Sequence, residues 1–166
     1  MNNKTLRVLS IVDGTTVDGP GFRTSIYFAG CDNQCPGCHN PQSWDHDGGR
    51  EMTVEDLFNI VEVNDMNVTF SGGDPMLQAE ALIPLARMIK ESGRSIWCFT
   101  GYTFEAVERM RYPARLLDYV DVLVDGPFIE HLRDTSLLFR GSSNQRLIKI
   151  EPSRQCGKTL LWEPEF

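Results

Sequence analysis

Short runs of β-branched and aromatic residues alternate with single helical stretches, glycine-rich turns close several of those runs, and the chain has 166 residues. Together these features predict an α/β fold: a partial, open TIM-type β/α barrel with a mainly parallel sheet. Strands separated by single helices imply parallel pairing with right-handed crossovers. A closed barrel of eight units takes about 250 residues, so this chain supplies part of one. The unfinished side leaves room for something large to enter.

The elements follow in order. Residues 6–12 alternate weakly and predict a short strand; residues 23–29, Arg-Thr-Ser-Ile-Tyr-Phe-Ala, predict a stronger one. That strand runs into Gly30 and a cysteine loop, at the strand end where α/β folds place their chemistry. Thr53 predicts a helix N-cap, with Asp56 completing a capping box and Val54, Leu57, Phe58 and Val61 on one face. Residues 67–70 predict a strand. Leu82, Leu85, Ala86 and Ile89 mark the apolar face of the next helix, which ends at Gly93. Pro84 is expected in the first turn of that helix, since deeper it would break the hydrogen-bond ladder. Residues 95–100 predict a strand, 104–110 a helix stopped by Pro113, 114–119 a short helical stretch, 121–124 an apolar strand and 146–150 the last strand. The glycine-rich segments 19–21 and 47–49 read as loops. The expected organisation is a single domain over 1–166, with a poorly assigned C-terminal tail at 151–166.

Sixteen basic and twenty-three acidic side chains leave a net charge of −7, which argues against nucleic-acid binding. The C-terminal quarter is locally basic, through Arg133, Arg140, Arg146, Lys149, Arg154 and Lys158. No stretch reaches the roughly 18 to 20 apolar residues that span a membrane. Five cysteines, an odd number, and a start without a secretory pattern argue against a disulfide framework. The expectation is a soluble cytoplasmic protein with reduced thiols.

Cys31, Cys35 and Cys38 lie in the run Cys31-Asp32-Asn33-Gln34-Cys35-Pro36-Gly37-Cys38-His39-Asn40, spaced by three residues and then two. Three thiolates on one loop can hold three irons of a cubic cluster, whereas clusters built only to carry electrons normally have four cysteines. A position left open to a small molecule is how a metal site becomes catalytic. Zinc is the alternative, with His39, His46, Cys98 or Cys156 as fourth ligand. Cys98 falls within a predicted strand and reads as a small core residue.

Ser71-Gly72-Gly73-Asp74-Pro75 follows a predicted strand. Asp74 suits an N-cap and Pro75 the first helical position. The paired glycines bring bare backbone close to whatever lies above the sheet. A carboxylate beside exposed carbonyls suits a ligand ammonium group, and the glycine spacing is not that of a P-loop. Asp125-Gly126-Pro127 ends another strand, where Asp125 can accept from ribose hydroxyls or form an Asx-type turn. Asp18-Gly19-Pro20-Gly21-Phe22-Arg23 and Arg140-Gly141-Ser142-Ser143-Asn144-Gln145-Arg146 flank strands without a chemistry that composition reveals.

Cys-x3-Cys-x2-Cys after one strand and a Gly-Gly-acid-Pro loop after the next resemble the radical S-adenosylmethionine enzymes. Gly19-Pro20-Gly21-x-Arg23 before the cysteines, and Cys38-His39-Asn40 with Trp44 after them, narrow the resemblance to the glycyl-radical-enzyme activases. Within that group the chain is similar to activators of anaerobic ribonucleoside-triphosphate reductase. The features concerned are Pro36-Gly37-Cys38, the Ser71–Pro75 loop, Trp97 with Thr100-Gly101-Tyr102, Val122-Leu123-Val124-Asp125-Gly126, and Arg140-Gly141-Ser142-Ser143-Asn144-Gln145. The resemblance covers roughly residues 10–150. Two departures stand out: Gly37 occupies a position where many members carry an aromatic, and the stretch from Glu151, with Cys156, has no counterpart.

The resemblance implies a [4Fe-4S] cluster on Cys31, Cys35 and Cys38, with one iron open to the amine and carboxylate of S-adenosyl-L-methionine. It further implies that Gly72, Gly73 and Asp74 hold the amino-acid part, that Gly37, Cys38 and His39 meet the adenine, and that Asp125 meets the ribose. No catalytic side chain beyond the cluster ligands is implied. The partners implied are the reductase, as protein substrate entering at the open side, and a flavodoxin-like reductant. Rival readings are an activase of the pyruvate formate-lyase type, which the Arg140–Gln145 run opposes, and a radical enzyme acting on a small molecule.

Overall fold

The computed structural model describes residues 5–31, 45 and 47–164. The chain runs β1 (Thr5–Thr15), β2 (Arg23–Phe28), β3 (Arg50–Thr53), α1 (Val54–Asn64), β4 (Asn67–Gly72), α2 (Ala79–Glu91), β5 (Ile96–Phe99), α3 (Phe104–Val107), α4 (Arg111–Leu116), β6 (Val122–Asp125), β7 (Arg146–Lys149) and α5 (Ile150–Cys156). Among the described residues the strands form one sheet in the order β3-β1-β2-β4-β5-β6-β7. The four central strands, β2, β4, β5 and β6, are parallel. The flanking strands β1, β3 and β7 pair antiparallel, and the two edges, β3 and β7, do not meet. The barrel is therefore open.

The period of two along each strand sorts side chains between the two faces. Ile26, Phe28, Val68, Phe70, Ile96, Cys98, Leu123 and Ile148 join Leu57, Val61, Leu82, Leu85, Ala86 and Ile89 in the main core, beneath the helices. The intervening residues face the other way. Trp97, Val122, Val124 and Leu147 make a second apolar cluster, with Phe99, Phe139 and Trp162 packed against it. Arg23 is buried on this inner face. Its Nε donates to Thr69 Oγ1 at 2.9 Å and its Nη2 to the Val68 carbonyl at 2.8 Å, so one guanidinium ties β2 to β4. The Thr69 hydroxyl in turn donates to the Asp18 carbonyl at 2.8 Å, which fixes the glycine loop before β2.

Local chemistry explains most boundaries. Thr53 caps α1 as expected: its hydroxyl accepts from Asp56 N at 3.0 Å and the Asp56 carboxylate accepts from Thr53 N at 3.4 Å. Two prolines depart from expectation. Pro84 lies inside α2, because a short 3-10 turn at Pro75–Gln78 leads straight into a helix that starts at Ala79. Burial of Leu82, Leu85, Ala86 and Ile89 on both sides of Pro84 outweighs the missing N–H. Pro113 likewise does not stop a helix. It sits in the first turn of α4, where its fixed φ fits, and α3 is a single turn. The edge strand β3 carries no apolar alternation, and its pairing with β1 makes it a strand. The tail at 151–166 also acquires a place. After α5 it returns beside β7, with Lys149 N donating to Leu160 O at 2.9 Å and Trp162 N to Leu147 O at 2.7 Å. Trp162 then packs edge-on to Trp97, with ring centroids 4.9 Å apart.

Candidate active site

Cys31 follows β2 directly, at the C-terminal edge of the parallel strands, and is partly buried. Cys35 and Cys38, with Gly37, His39 and Trp44, lie outside the described residues. Among the described residues no group of three or more His, Cys, Asp or Glu converges on a metal-sized site. Cys98 is buried in the main core and Cys156 is exposed on α5. Desolvation, followed by the charge of Asp74, pushes the Cys98 thiol well above its ordinary range.

The base of the cysteine loop is tied to the neighbouring strand end. Gly73 N donates to Phe28 O at 2.8 Å and Asp74 N to Gly30 O at 2.6 Å. Gln78 adds a clamp that sequence reasoning missed: its Nε2 donates to Ala29 O at 3.1 Å and Arg7 O at 3.0 Å, while its Oε1 accepts from Arg7 N at 2.8 Å. Gly72 has φ +108°, and a Cβ there would stand 2.3 Å from Phe28 N. The first reason for a glycine at 72 is thus the close approach of the β2 backbone.

The two predicted acids face inward. Asp74 is fully buried, and its carboxylate accepts from the Thr100 hydroxyl at 2.9 Å, Gly101 N at 2.9 Å and Met76 N at 3.1 Å. It joins the loop after β4 to the loop after β5. Asp125, 1% exposed, accepts from Phe104 N at 2.7 Å and from Arg146 Nη2 and Nε at 2.6 and 3.1 Å. Arg146 also forks onto Glu105, with contacts of 3.1 and 2.7 Å. These bonds, led by the one to Asp125, raise the guanidinium above its ordinary range. Both acids therefore act as anchors beneath the strand ends. A loop carboxylate read in isolation gives no sign of the buried donors that claim it.

Above these anchors lies a cavity of about 430 Å³. Tyr27, Ser71, Gly72 and Phe99 contribute from the strand ends, and Asp18, Phe128, Arg140 and Gln145 from the loops. The Tyr27 hydroxyl donates to the Asp18 carboxylate, and desolvation with that bond raises the phenol well above its ordinary range. The Arg140 Nε is buried without a hydrogen-bond partner. This volume is in the range of small-molecule sites. Aromatic walls, bare glycine backbone and an unpartnered cationic donor suit a nucleoside carrying a charged amino-acid end.

Comparison with known proteins gives the family of the chain. A family model described as a 4Fe-4S single cluster domain matches residues 17–148. The chain is 34% identical to the anaerobic ribonucleoside-triphosphate reductase-activating protein of Escherichia coli (strain K12), over 78% of this chain and 89% of the relative. The protein of the same name from Vibrio cholerae is 38% identical, over 78% and 88%. That of Enterobacteria phage T4 is 34% identical, over 79% and 86%. Among solved structures, QueE from Escherichia coli shares the fold, with a TM-score of 0.53 and 17% identity over 73% of this chain and 70% of that one. Extent and identity together place the chain in the family of anaerobic ribonucleoside-triphosphate reductase-activating proteins.

Proposed function

We propose that this protein activates an anaerobic ribonucleoside-triphosphate reductase by generating a glycyl radical on it. Cys31, Cys35 and Cys38 would hold a [4Fe-4S] cluster with one iron left for S-adenosyl-L-methionine. When bound, that pair would supply one-electron reductive cleavage of the sulfonium, releasing methionine, and with it the power to take an α-hydrogen from a glycine of the reductase. The electron comes from a flavodoxin-like donor.

The chain's own residues align and enclose. Gly72 and Gly73 offer backbone to the amino-acid end, and the backbone of Gly37, Cys38 and His39 meets the adenine. Asp74 and Asp125 hold the strand-end loops at fixed height, and Asp125 reaches the ribose only through the loop it anchors. Holding reactants in register is worth several kcal/mol of a barrier. The protein substrate enters at the open side of the barrel.

The observation that carries this reading is the bonding of Gly73 and Asp74 to the backbone that leads into Cys31, beside a nucleoside-sized cavity. The test is EPR on oxygen-free mixtures of the iron-loaded protein, the reductase, S-adenosyl-L-methionine and reductant. A glycyl doublet on the reductase is the expected result. A doublet that forms on a formate-lyase-type partner and not on the reductase would overturn the assignment of the target.

A further inference from the structure

Arg140 combines a place in the cavity lining with a buried Nε that lacks a partner; Arg94 shares the second feature but is ion-paired and does not line that cavity. Arg94, Arg146 and Arg154 each form ion pairs with carboxylates. Arg140 has no carboxylate within ion-pair distance among the described residues, although it lines the cavity above the strand ends. Its Nη1 donates to the Gln145 carbonyl at 2.6 Å. Its Nε is buried with no partner. The loop that carries it is itself held. Gln145 Oε1 accepts from Gly141 N at 2.8 Å and Gln145 Nε2 donates to Gly126 O at 3.0 Å. The carboxylate that shares the cavity, Asp18, accepts from Tyr27, and the exposed Asp134 accepts from Ser136. The guanidinium is thus fixed at one end, while the edge formed by Nε and Nη2 is left for an anion.

We infer that Arg140 receives the carboxylate of the methionine moiety of S-adenosyl-L-methionine, side-on through Nε and Nη2. This rests on the reading of the cavity given above. A planar fork matches a carboxylate through two parallel N–H···O bonds. The amino-acid end of this ligand carries one anion and one ammonium, and a cationic donor selects the anion. A buried N–H that no protein group satisfies is unfavourable until such a ligand arrives. Arg140 therefore favours a nucleoside that keeps its carboxylate.

The test is a binding cycle on the iron-loaded protein, with S-adenosyl-L-methionine and its decarboxylated analogue titrated against the parent, Arg140→Gln and Arg140→Lys. Loss of a charge-assisted bidentate contact should weaken S-adenosyl-L-methionine roughly 10- to 100-fold in Arg140→Gln. The analogue, lacking the carboxylate, should change less than about 3-fold, and Arg140→Lys should recover part of the loss. Equal weakening of both ligands, or of neither, would overturn the inference. If the parent binds neither ligand while holding its iron, the reading of the cavity itself falls, and the inference with it.

Discussion

Replacing Gly72 with Ala tests whether the strand ends meet as described. The added Cβ would lie 2.3 Å from Phe28 N and 2.5 Å from Phe28 O, at a φ of +108°. Both neighbours are backbone atoms of a strand paired with β4, so neither can swing aside. A left-handed backbone costs an L-residue roughly 1–2 kcal/mol, and forced overpacking typically adds about 1–3 kcal/mol. The sum is about 2–5 kcal/mol, equivalent to a fall in Tm of roughly 4–20 °C for a domain of this size. Gly93→Ala is the matched control, since φ there is +89° and nothing lies within 4 Å of where its methyl would stand, leaving conformational strain alone. Thermal unfolding of parent and both variants gives the comparison, and iron per chain after anaerobic reconstitution gives a second readout, because a displaced β2 displaces Cys31. If Gly72→Ala falls no further than Gly93→Ala and keeps its iron, the close approach of β2 and β4 is refuted.

Two further outcomes follow from burial and charge. The thiol of Cys98 is both enclosed and pushed up by desolvation. A thiol reagent should therefore label the exposed Cys156 in the folded, iron-loaded protein and reach Cys98 only after denaturation. Rapid labelling of Cys98 would mean that the core beneath the helices is open. Glu105 is held below its ordinary value of 4.5, first by the hydrogen bond from Arg146. A depressed folded pKa contributes stability above the unfolded value, and that contribution is lost as pH falls through the folded one. The Tm difference between parent and Glu105→Gln should therefore be small, since the pair is half exposed. It should be present at about pH 6 and gone well below about pH 4. A difference that grows on acidification contradicts the pairing.

The parallel centre of the fold was legible because each of its strands is a short apolar run ending in glycine or a polar turn. The capping box at Thr53 and Asp56 was legible because its two bonds join residues three apart. What escaped was set at long range. The strand β3 exists only through its partner β1, and Pro84 is tolerated inside α2 because burial on both sides of it decides, while Pro113 fits because α4 starts only two residues before it. At the site, the motifs around Cys31 and Gly72 marked two neighbouring strand ends, but the inward orientation of Asp74 and Asp125 depends on Thr100, Phe104 and Arg146 from other elements. Gln78 left no local signal, since its two partner residues, Ala29 and Arg7, lie 49 and 71 positions away.

The footing of Cys31 is made of bonds among the chain's own amides: Gly73 and Asp74 grip Phe28 and Gly30, and the Gln78 side chain grips Ala29. Every donor and acceptor in that socket belongs to the polypeptide. A lever placed anywhere on that grip, at residue 72, 74 or 78, therefore moves residue 31 from a distance, without touching the cysteine itself.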